Sequence, residues 1–333
     1  MMDMTDRPVT LNDVAEAAGV SLSTASKALS GTDRISPKTR QLVKNTAIQL
    51  GFRPNALARS FARGRSQTIG VLTQRASNVW SRVVLAGTAL ELGAADQAML
   101  LYDARLNGED MAESVLDLRA RRIDGVVVIG VGTSERAPSV SDLFAVPVVH
   151  AFMRTENAND VTVTSDDLAI GRVAVTHLIN AGRRRIAHIT GGLHDEAART
   201  RALGASEAMA EVGLEWATPV RFDRWSESWG ERAATAVLAE VPDVDAIFCG
   251  SDAIARGAER AIRAAGRRIP DDVALIGVDN WEQLMHEQFS RHLTTVEVGL
   301  EQIGRLAARH LIHGDLEPGT HLVAPEVKLG VTT

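Results

Sequence analysis

Apolar residues Leu11, Val14, Ala15 and Ala18 recur at helical spacing behind Thr10, with Asp13 three residues after the threonine, and this predicts a short helix opened by an N-terminal cap. Gly19 follows as a turn. Ser21 can cap a second helix that turns Ala25 and Leu29 inward and leaves Leu22, Ser23, Ser26 and Lys27 outside. A third begins at Ser36-Pro37, directs Leu42, Val43, Ala47 and Leu50 inward and stops at Gly51. Three short helices around a glycine turn form a helix-turn-helix unit with a minimal core. The stretch Asn55 to Arg63 has good helix propensity but is too short to stand alone in water, and residues 64–67 read as a polar linker.

From Thr68 the pattern changes to apolar runs of strand length at 69–72, 98–102, 125–129 and 146–150, alternating with helical stretches near 80–94, 108–121 and 138–144. A second series has runs at 186–190, 220–222, 246–249 and 273–278 and helices near 168–181, 196–212, 229–239 and 253–265. Two βαβ series imply two doubly wound subdomains with parallel sheets, whose strand C-termini can face one another across a ligand cleft.

Charge divides the chain at the same place. Residues 1–66 carry a net charge of +5 and residues 67–333 a net of −11. A small basic module on a large acidic one suggests a polyanion partner, although a solvated basic face would give the same arithmetic. No stretch approaches the roughly 20 apolar residues of a bilayer span, and Met1 to Thr10 is polar, so neither secretion nor a membrane partner is expected. Cys249 is the only cysteine, which excludes an intramolecular disulfide and a Cys-based zinc site and fits a reducing, cytoplasmic compartment.

The run Leu11-Asn-Asp-Val-Ala-Glu-Ala-Ala-Gly-Val-Ser-Leu-Ser-Thr-Ala-Ser-Lys-Ala-Leu-Ser-Gly31, followed by Arg53-Pro-Asn-Ala-Leu-Ala-Arg-Ser-Phe61, resembles the N-terminus of the lactose-repressor (LacI/GalR) family. The resemblance continues through Arg184 to Gly191, Ser251 to Gly257, Ile269 to Asp279 and Leu293-Thr-Thr295. It implies an N-terminal all-α helix-turn-helix domain (1–54), a hinge helix and linker (55–66), and an α/β periplasmic-binding-protein-like core (67–333) for effector binding and dimerisation. Within the core it implies crossings between subdomains near 163, 292 and 321. The first subdomain is then 67–163 with 293–320, and the second 164–292 with 321–333.

Candidate site residues follow. On the second helix, Leu22, Ser23, Thr24, Ser26 and Lys27 are placed to face a major groove, where hydroxyls, an ammonium and an apolar side chain against a thymine methyl can read base edges; the alternative is a solvated helix face. By resemblance, Asn55, Arg59, Phe61 and Arg63 belong to the hinge segment. Phe61 stands where a leucine usually wedges into the minor groove, while Arg59 and Arg63 hold phosphates or groove edges. Phe61 packed on the large module is the competing reading.

For the cleft, Arg199 falls at the position of the family's effector-binding arginine, or makes a surface ion pair with Asp195 or Glu196. Asp279 and Asp252 end strands where carboxylates accept from sugar hydroxyls, and Asp252 can instead cap the next helix. Trp80 and Trp225 sit where rings stack on a sugar, against core filling, and Trp281 reads as packing near the crossover. Phe152 and Ile129 replace groups that are usually polar, so the effector need not be a simple hexose. A cofactor and a bound metal are not expected: Gly130-Val-Gly132 lacks the third glycine of a dinucleotide fingerprint, no hydrolase or P-loop motif occurs, and His188 reads as a core or edge residue.

The expectation is therefore a repressor that binds pseudo-palindromic operator DNA as a homodimer under control of a small polar effector, a sugar or sugar derivative. A chain ending at Thr333 without a leucine heptad fits a dimer rather than a tetramer. A periplasmic-type sugar receptor is the alternative, but it has no use for residues 1–63. An enzyme with an appended DNA-binding domain would need catalytic groups that the motifs do not supply.

Overall fold

The computed structural model describes Arg7 and residues 9–30, 35–52, 65–74, 77–103, 109–133, 136–282, 291–315 and 317–333. The candidates Asn55, Arg59, Phe61 and Arg63 lie outside these residues, as does the whole segment 53–64. The chain divides into two compact units, 1–66 and 67–333.

In the small unit, α1 (Leu11–Ala17) opens with a reciprocal cap: Thr10 Oγ1 accepts from the Asp13 amide and Asp13 Oδ2 accepts from the Thr10 amide. Ser21 Oγ accepts from the Thr24 amide at the start of α2 (Leu22–Ser30), and Ser36 caps α3 (Pro37–Gln49) with Pro37 in its first turn. Gly19 (φ +63°) and Gly51 (φ +66°) supply the left-handed residues that end α1 and α3. The core is Val14, Ala15, Ala25, Ala28, Val43 and Ala47, with Leu29 partly buried against it. Leu42 and Leu50 do not join it as the periodicity predicts. Val43, Thr46 and Ala47 form the buried stripe of α3, so Leu42, one residue to the side, is 50% exposed, and Leu50 caps the helix beyond the stripe.

The large unit holds two six-stranded sheets. The first contains β1 (Thr68–Thr73), β2 (Ala98–Asp103), β3 (Gly125–Ile129), β5 (Val148–Ala151), β7 (Val161–Ser165) and β13 (Gly319–Val323), in the order β13-β7-β5-β3-β1-β2 and parallel throughout. Short β4 (Arg136–Ala137) and β6 (Arg154–Thr155) pair beside it. The second contains β8 (Ile186–Thr190), β9 (Arg221–Phe222), β10 (Ala246–Cys249), β11 (Ala274–Val278), β12 (Thr294–Glu297) and β14 (Glu326–Lys328), in the order β14-β12-β11-β10-β8-β9, with only β14 antiparallel. The helices are α4 (Val79–Ala94), α5 (Glu109–Ala120), α6 (Asp167–Asn180), α7 (Glu196–Glu211), α8 (Glu227–Glu240), α9 (Asp252–Ala264) and α10 (Leu300–His313). The helix predicted over 138–144 is a single turn, Ser141–Leu143, because Val140 and Phe144 both turn into the core around β3 and β5.

Two boundaries inside the large unit differ from expectation. β12 pairs with β11, so 294–297 belongs to the second sheet rather than the first, and β13 pairs with β7, so 319–323 belongs wholly to the first. The crossings therefore fall after Ser165, after Glu297 and after Val323, where each strand runs out of ladder partners.

Three helix pairs, α4–α10, α6–α7 and α8–α9, meet through reciprocal glycines. A Cβ on Gly87, Gly304, Gly171, Gly204, Gly230 or Gly257 would lie 1.8–2.1 Å from a carbonyl oxygen of the facing helix. The backbones are in direct contact at these points, which fixes each pair rigidly. Among the described residues, no helix is long and apolar enough to cross a membrane.

Candidate functional site

On α2, the apolar positions Ala25 and Ala28 are fully buried, and a helical turn of about 100° per residue sets Leu22, Ser23, Ser26 and Lys27 on the opposite side. All four are exposed, Leu22 by 50%. Thr24 is turned away from this face: its hydroxyl lies 2.8 Å from Ser21 Oγ and it is half-buried in the cap. The exposed set therefore combines an apolar side chain, two hydroxyls and one ammonium, with no acidic residue in the first turn to repel a phosphate.

The second site lies between the two sheets. A cavity of about 300 Å³ is lined from the first subdomain by Trp80, Val131, Gly132, Thr133, Phe152 and Ser165, and from the second by Asp195, Ala197, Arg201, Trp225, Ser251, Ala253 and Asp279, with Val298 and Leu300 at a crossing. Six of these follow a strand C-terminus within four residues: Val131 to Thr133 after β3, Phe152 after β5, Ser251 after β10 and Asp279 after β11. Parallel strands of a doubly wound sheet all end on the same side, so two such sheets facing each other deliver loops from both into one crevice.

The polar centre is Arg201. Its Nε donates to Asp167 Oδ1 at 2.9 Å and its Nη1 to the Gly250 carbonyl at 2.8 Å, while its guanidinium carbon sits 5.7 Å from the centre of the Trp225 ring. Burial opposes the charge on Arg201, and Asp167, Asp279 and Asp195 more than offset that penalty, raising its pKa. The Trp225 indole donates to Asp195 Oδ2 at 2.8 Å, and the ring lies so close to Gly191 that a Cβ there would fall 2.1 Å from it. Asp279 has a positive φ of 112° and faces the cavity. Burial holds its carboxyl well above the usual range, against the attraction of Arg201 and with Asp252 and Asp167 adding to the rise.

Two of the sequence candidates are corrected. Arg199 is exposed and donates to the Leu193 carbonyl at 2.9 Å; it does not line the cavity. Two helical positions rotate a side chain by about 200°, so Arg199 and Arg201 point to opposite sides of α7. The informative signal was the buried stripe Ala197, Ala198, Arg201, Ala202 and Ala205, in which an arginine interrupts small residues. Asp252 does not face the cavity either, and it does not cap the helix. Ser251 caps α9, while Asp252 Oδ1 accepts from Thr295 Oγ1 at 2.6 Å and Oδ2 from the Trp281 amide at 2.7 Å. Burial, with the Glu282 carboxylate adding to it, pushes this carboxyl up to about 7 despite those hydrogen bonds and Arg256.

Trp80, Phe152, Trp225 and Asp279 do line the cavity, and Trp80 meets Trp281 edge to face at 5.1 Å across the cleft. Ile129 is buried in the sheet, and His188 is stacked on Phe248 at 4.2 Å inside the second sheet, where burial depresses it to about 4. Thr133, Ser165 and Asp167 are not singled out by the sequence, and Asp195 only as a surface ion-pair partner of Arg199; Ser165 ends β7, and the others lie in a loop or at a helix start with no motif of its own.

Comparisons with known proteins cover both units. Residues 10–55 match bacterial regulatory proteins of the lacI family, and residues 175–333 match the periplasmic binding protein-like domain. The chain is 32% identical over 320 residues to the HTH-type transcriptional regulator CelR of Thermobifida fusca, covering 93% of each chain. It is 27% identical over 307 residues to the ribose operon repressor of Haemophilus influenzae, covering 91% of each. A solved transcriptional regulator CelR–cellobiose complex superimposes with a TM-score of 0.63 at 28% identity, over 98% of this chain and 100% of that one. With a three-helix reader at one end, two facing doubly wound sheets in the rest and this likeness along its length, the chain belongs to the lacI family of bacterial transcriptional regulators.

Proposed function

We propose that the protein is a repressor that binds operator DNA as a homodimer and is controlled by an uncharged sugar in the cleft between the subdomains. The observation that carries the ligand assignment is the composition of the cavity. Among the described residues Arg201 is the only basic one lining the cavity and is already paired with Asp167, whereas Asp195 and Asp279 contribute carboxyl groups. With its cation already paired with Asp167, such a site offers a phosphorylated or acidic sugar no free counter-charge and suits an uncharged sugar, whose hydroxyls bond to carboxyl oxygens and the guanidinium and whose C–H faces lie on Trp80, Phe152 and Trp225. The relative solved with cellobiose supports a disaccharide among the first probes.

The DNA assignment rests on the exposed face of α2 and on the family. One such face reads a half-site, so two copies in register are needed for specific affinity. Asn55, Arg59, Phe61 and Arg63, assigned from the sequence alone, would hold the backbone and minor groove between the reader and the cleft. The reading is of a binding protein and not an enzyme.

Selection of bound duplexes from a random pool, followed by footprinting, tests the first half: two symmetric half-sites are expected. Titrating cellobiose, ribose and glucose 6-phosphate into the complex tests the second. A neutral sugar should lower operator affinity by about tenfold or more, within the usual range of allosteric coupling. Release by the phosphorylated sugar alone would overturn the charge argument.

A further inference from the structure

Building on the assignment of the cleft as the effector site, we propose that Asp167 is a positioning residue that makes the ligand-facing geometry of Arg201 conditional on closure of the cleft. Asp167 is the first residue of α6, just past the crossing from β7, and is 2% exposed. Its two carboxylate oxygens hold groups from different subdomains. Oδ1 accepts from Arg201 Nε at 2.9 Å on the second subdomain, and Oδ2 accepts from Thr133 Oγ1 at 2.8 Å, in the loop after β3 on the first. Thr133 and Arg201 both line the cavity.

Three further observations give this bridge a direction. α6 and α7 are locked by Gly171 against the Arg201 carbonyl and Gly204 against the Leu168 carbonyl, so the backbones carrying Asp167 and Arg201 do not move relative to one another. Thr133 is the one member of the triad on the other subdomain, so opening of the cleft would break its bond to Asp167. The helix-capping duty is met by Asp166, whose side chain accepts from the Ala169 amide at 2.9 Å, so Asp167 is not needed there.

The physical consequence follows from hydration. With Thr133 in place, Asp167 is dry and both of its oxygens are engaged, so the charge-assisted bond to Arg201 is held in one orientation. With Thr133 withdrawn, water reaches Oδ2, the pair weakens, and the guanidinium samples other rotamers held only by the Gly250 carbonyl. Arg201 Nη2, which has no hydrogen bond among the described residues, is then no longer aimed.

The experiment follows the Arg201 Nε–H signal in the full chain labelled with ¹⁵N-arginine, identified by its loss in Arg201→Lys. Its exchange with solvent should be slow in the native protein, about tenfold faster in Thr133→Val, and restored in Thr133→Ser, which keeps the hydroxyl. A role of Asp167 in folding alone would leave the signal unchanged in Thr133→Val, because neither partner of the ion pair is altered there. Exchange within about twofold of native in that variant would therefore overturn the proposal. Cellobiose titrated into the same proteins should bind about fivefold more weakly to Thr133→Val than to the native chain, the loss expected for one hydrogen bond. If the native chain binds no cellobiose, the ligand assignment fails on its own, and the exchange rate, which needs no ligand, still decides the relay.

Discussion

On α2, the five residues assigned to DNA fall within six consecutive positions, and helical periodicity alone turns four of them outward while Ala25 and Ala28 go in. In the cleft, fifteen lining residues come from positions between 80 and 300, and each is placed by the end of a strand or helix whose partners lie far away in the chain. A surface reader can thus be built from local rules, while a buried binding site needs the whole sheet topology to exist first. The two sites should therefore fail under different perturbations.

The strongest separation should come from Gly204→Val. Its side chain would collide with the Leu168 carbonyl, 2.0 Å from the new Cβ, and prise α7 from α6. A loss of about 3 kcal/mol or more in the stability of the large unit is expected, from a melt followed by tryptophan fluorescence. Amide protection on α2 should be unaffected; parallel loss in both units would show that the small unit leans on the large one.

Next, Arg201→Lys keeps the charge but removes the planar fork, and sugar affinity should fall about 100-fold while operator affinity is kept. Unchanged calorimetric affinity would remove Arg201 from the site.

The pH response of Asp252 is the third test. Its native pKa of about 7 lies above the ordinary carboxylate value of 3.8, so between those limits the folded chain holds a proton that the unfolded chain has released. The contribution is fully present below about pH 4 and is lost as pH rises towards 7. Asp252→Asn should flatten that decline, narrowing the stability difference between about pH 5 and pH 8 by the order of 2 kcal/mol. Identical profiles for the two proteins would show that this carboxyl titrates normally.

A smaller effect, about tenfold, is expected for Leu22→Ala on specific operator affinity, with non-specific binding unchanged because no phosphate contact is removed. Uniform weakening on every duplex would return this helix face to the role of a solvated surface. The smallest is Arg199→Ala. An exposed side chain bonded to one carbonyl should shift sugar affinity by less than about twofold, and a large loss would reinstate it as the effector arginine.

How far each site was legible follows the same division. Thr10, Asp13, Gly19, Ser36 and Gly51 act within a few residues of themselves, and their caps and turns stand where the sequence puts them. Eight of the twelve strands in the two sheets are legible as apolar runs, since strands buried on both faces are apolar at nearly every position, whereas β7, β12, β13 and β14, with Thr, Ser, His, Glu and Lys among their residues, are not. The arginine of the cleft was misassigned by two residues because a motif marks a stretch of chain and not a direction. Only the burial of Ala197, Ala198 and Ala202 reveals which side of α7 faces in. Asp252 was misread for a related reason: its partners, Thr295 and the Trp281 amide, lie on other elements and compete with any ligand for its oxygens. The boundaries at 293 and 320 were displaced because a strand's sheet is set by its hydrogen-bonded neighbour, which no local pattern encodes.

The three crossings also set an order of assembly. In a chain made from its N-terminus, α1 to α3 are complete once residue 52 has emerged, whereas the first sheet waits for its edge strand β13 and the second for its edge strand β14. Neither half of the core is continuous, so neither can close before synthesis has passed residue 323. The nascent regulator therefore carries its reading head for most of its synthesis before the cleft between the sheets exists, and any control from that cleft arrives only when both sheets are finished together.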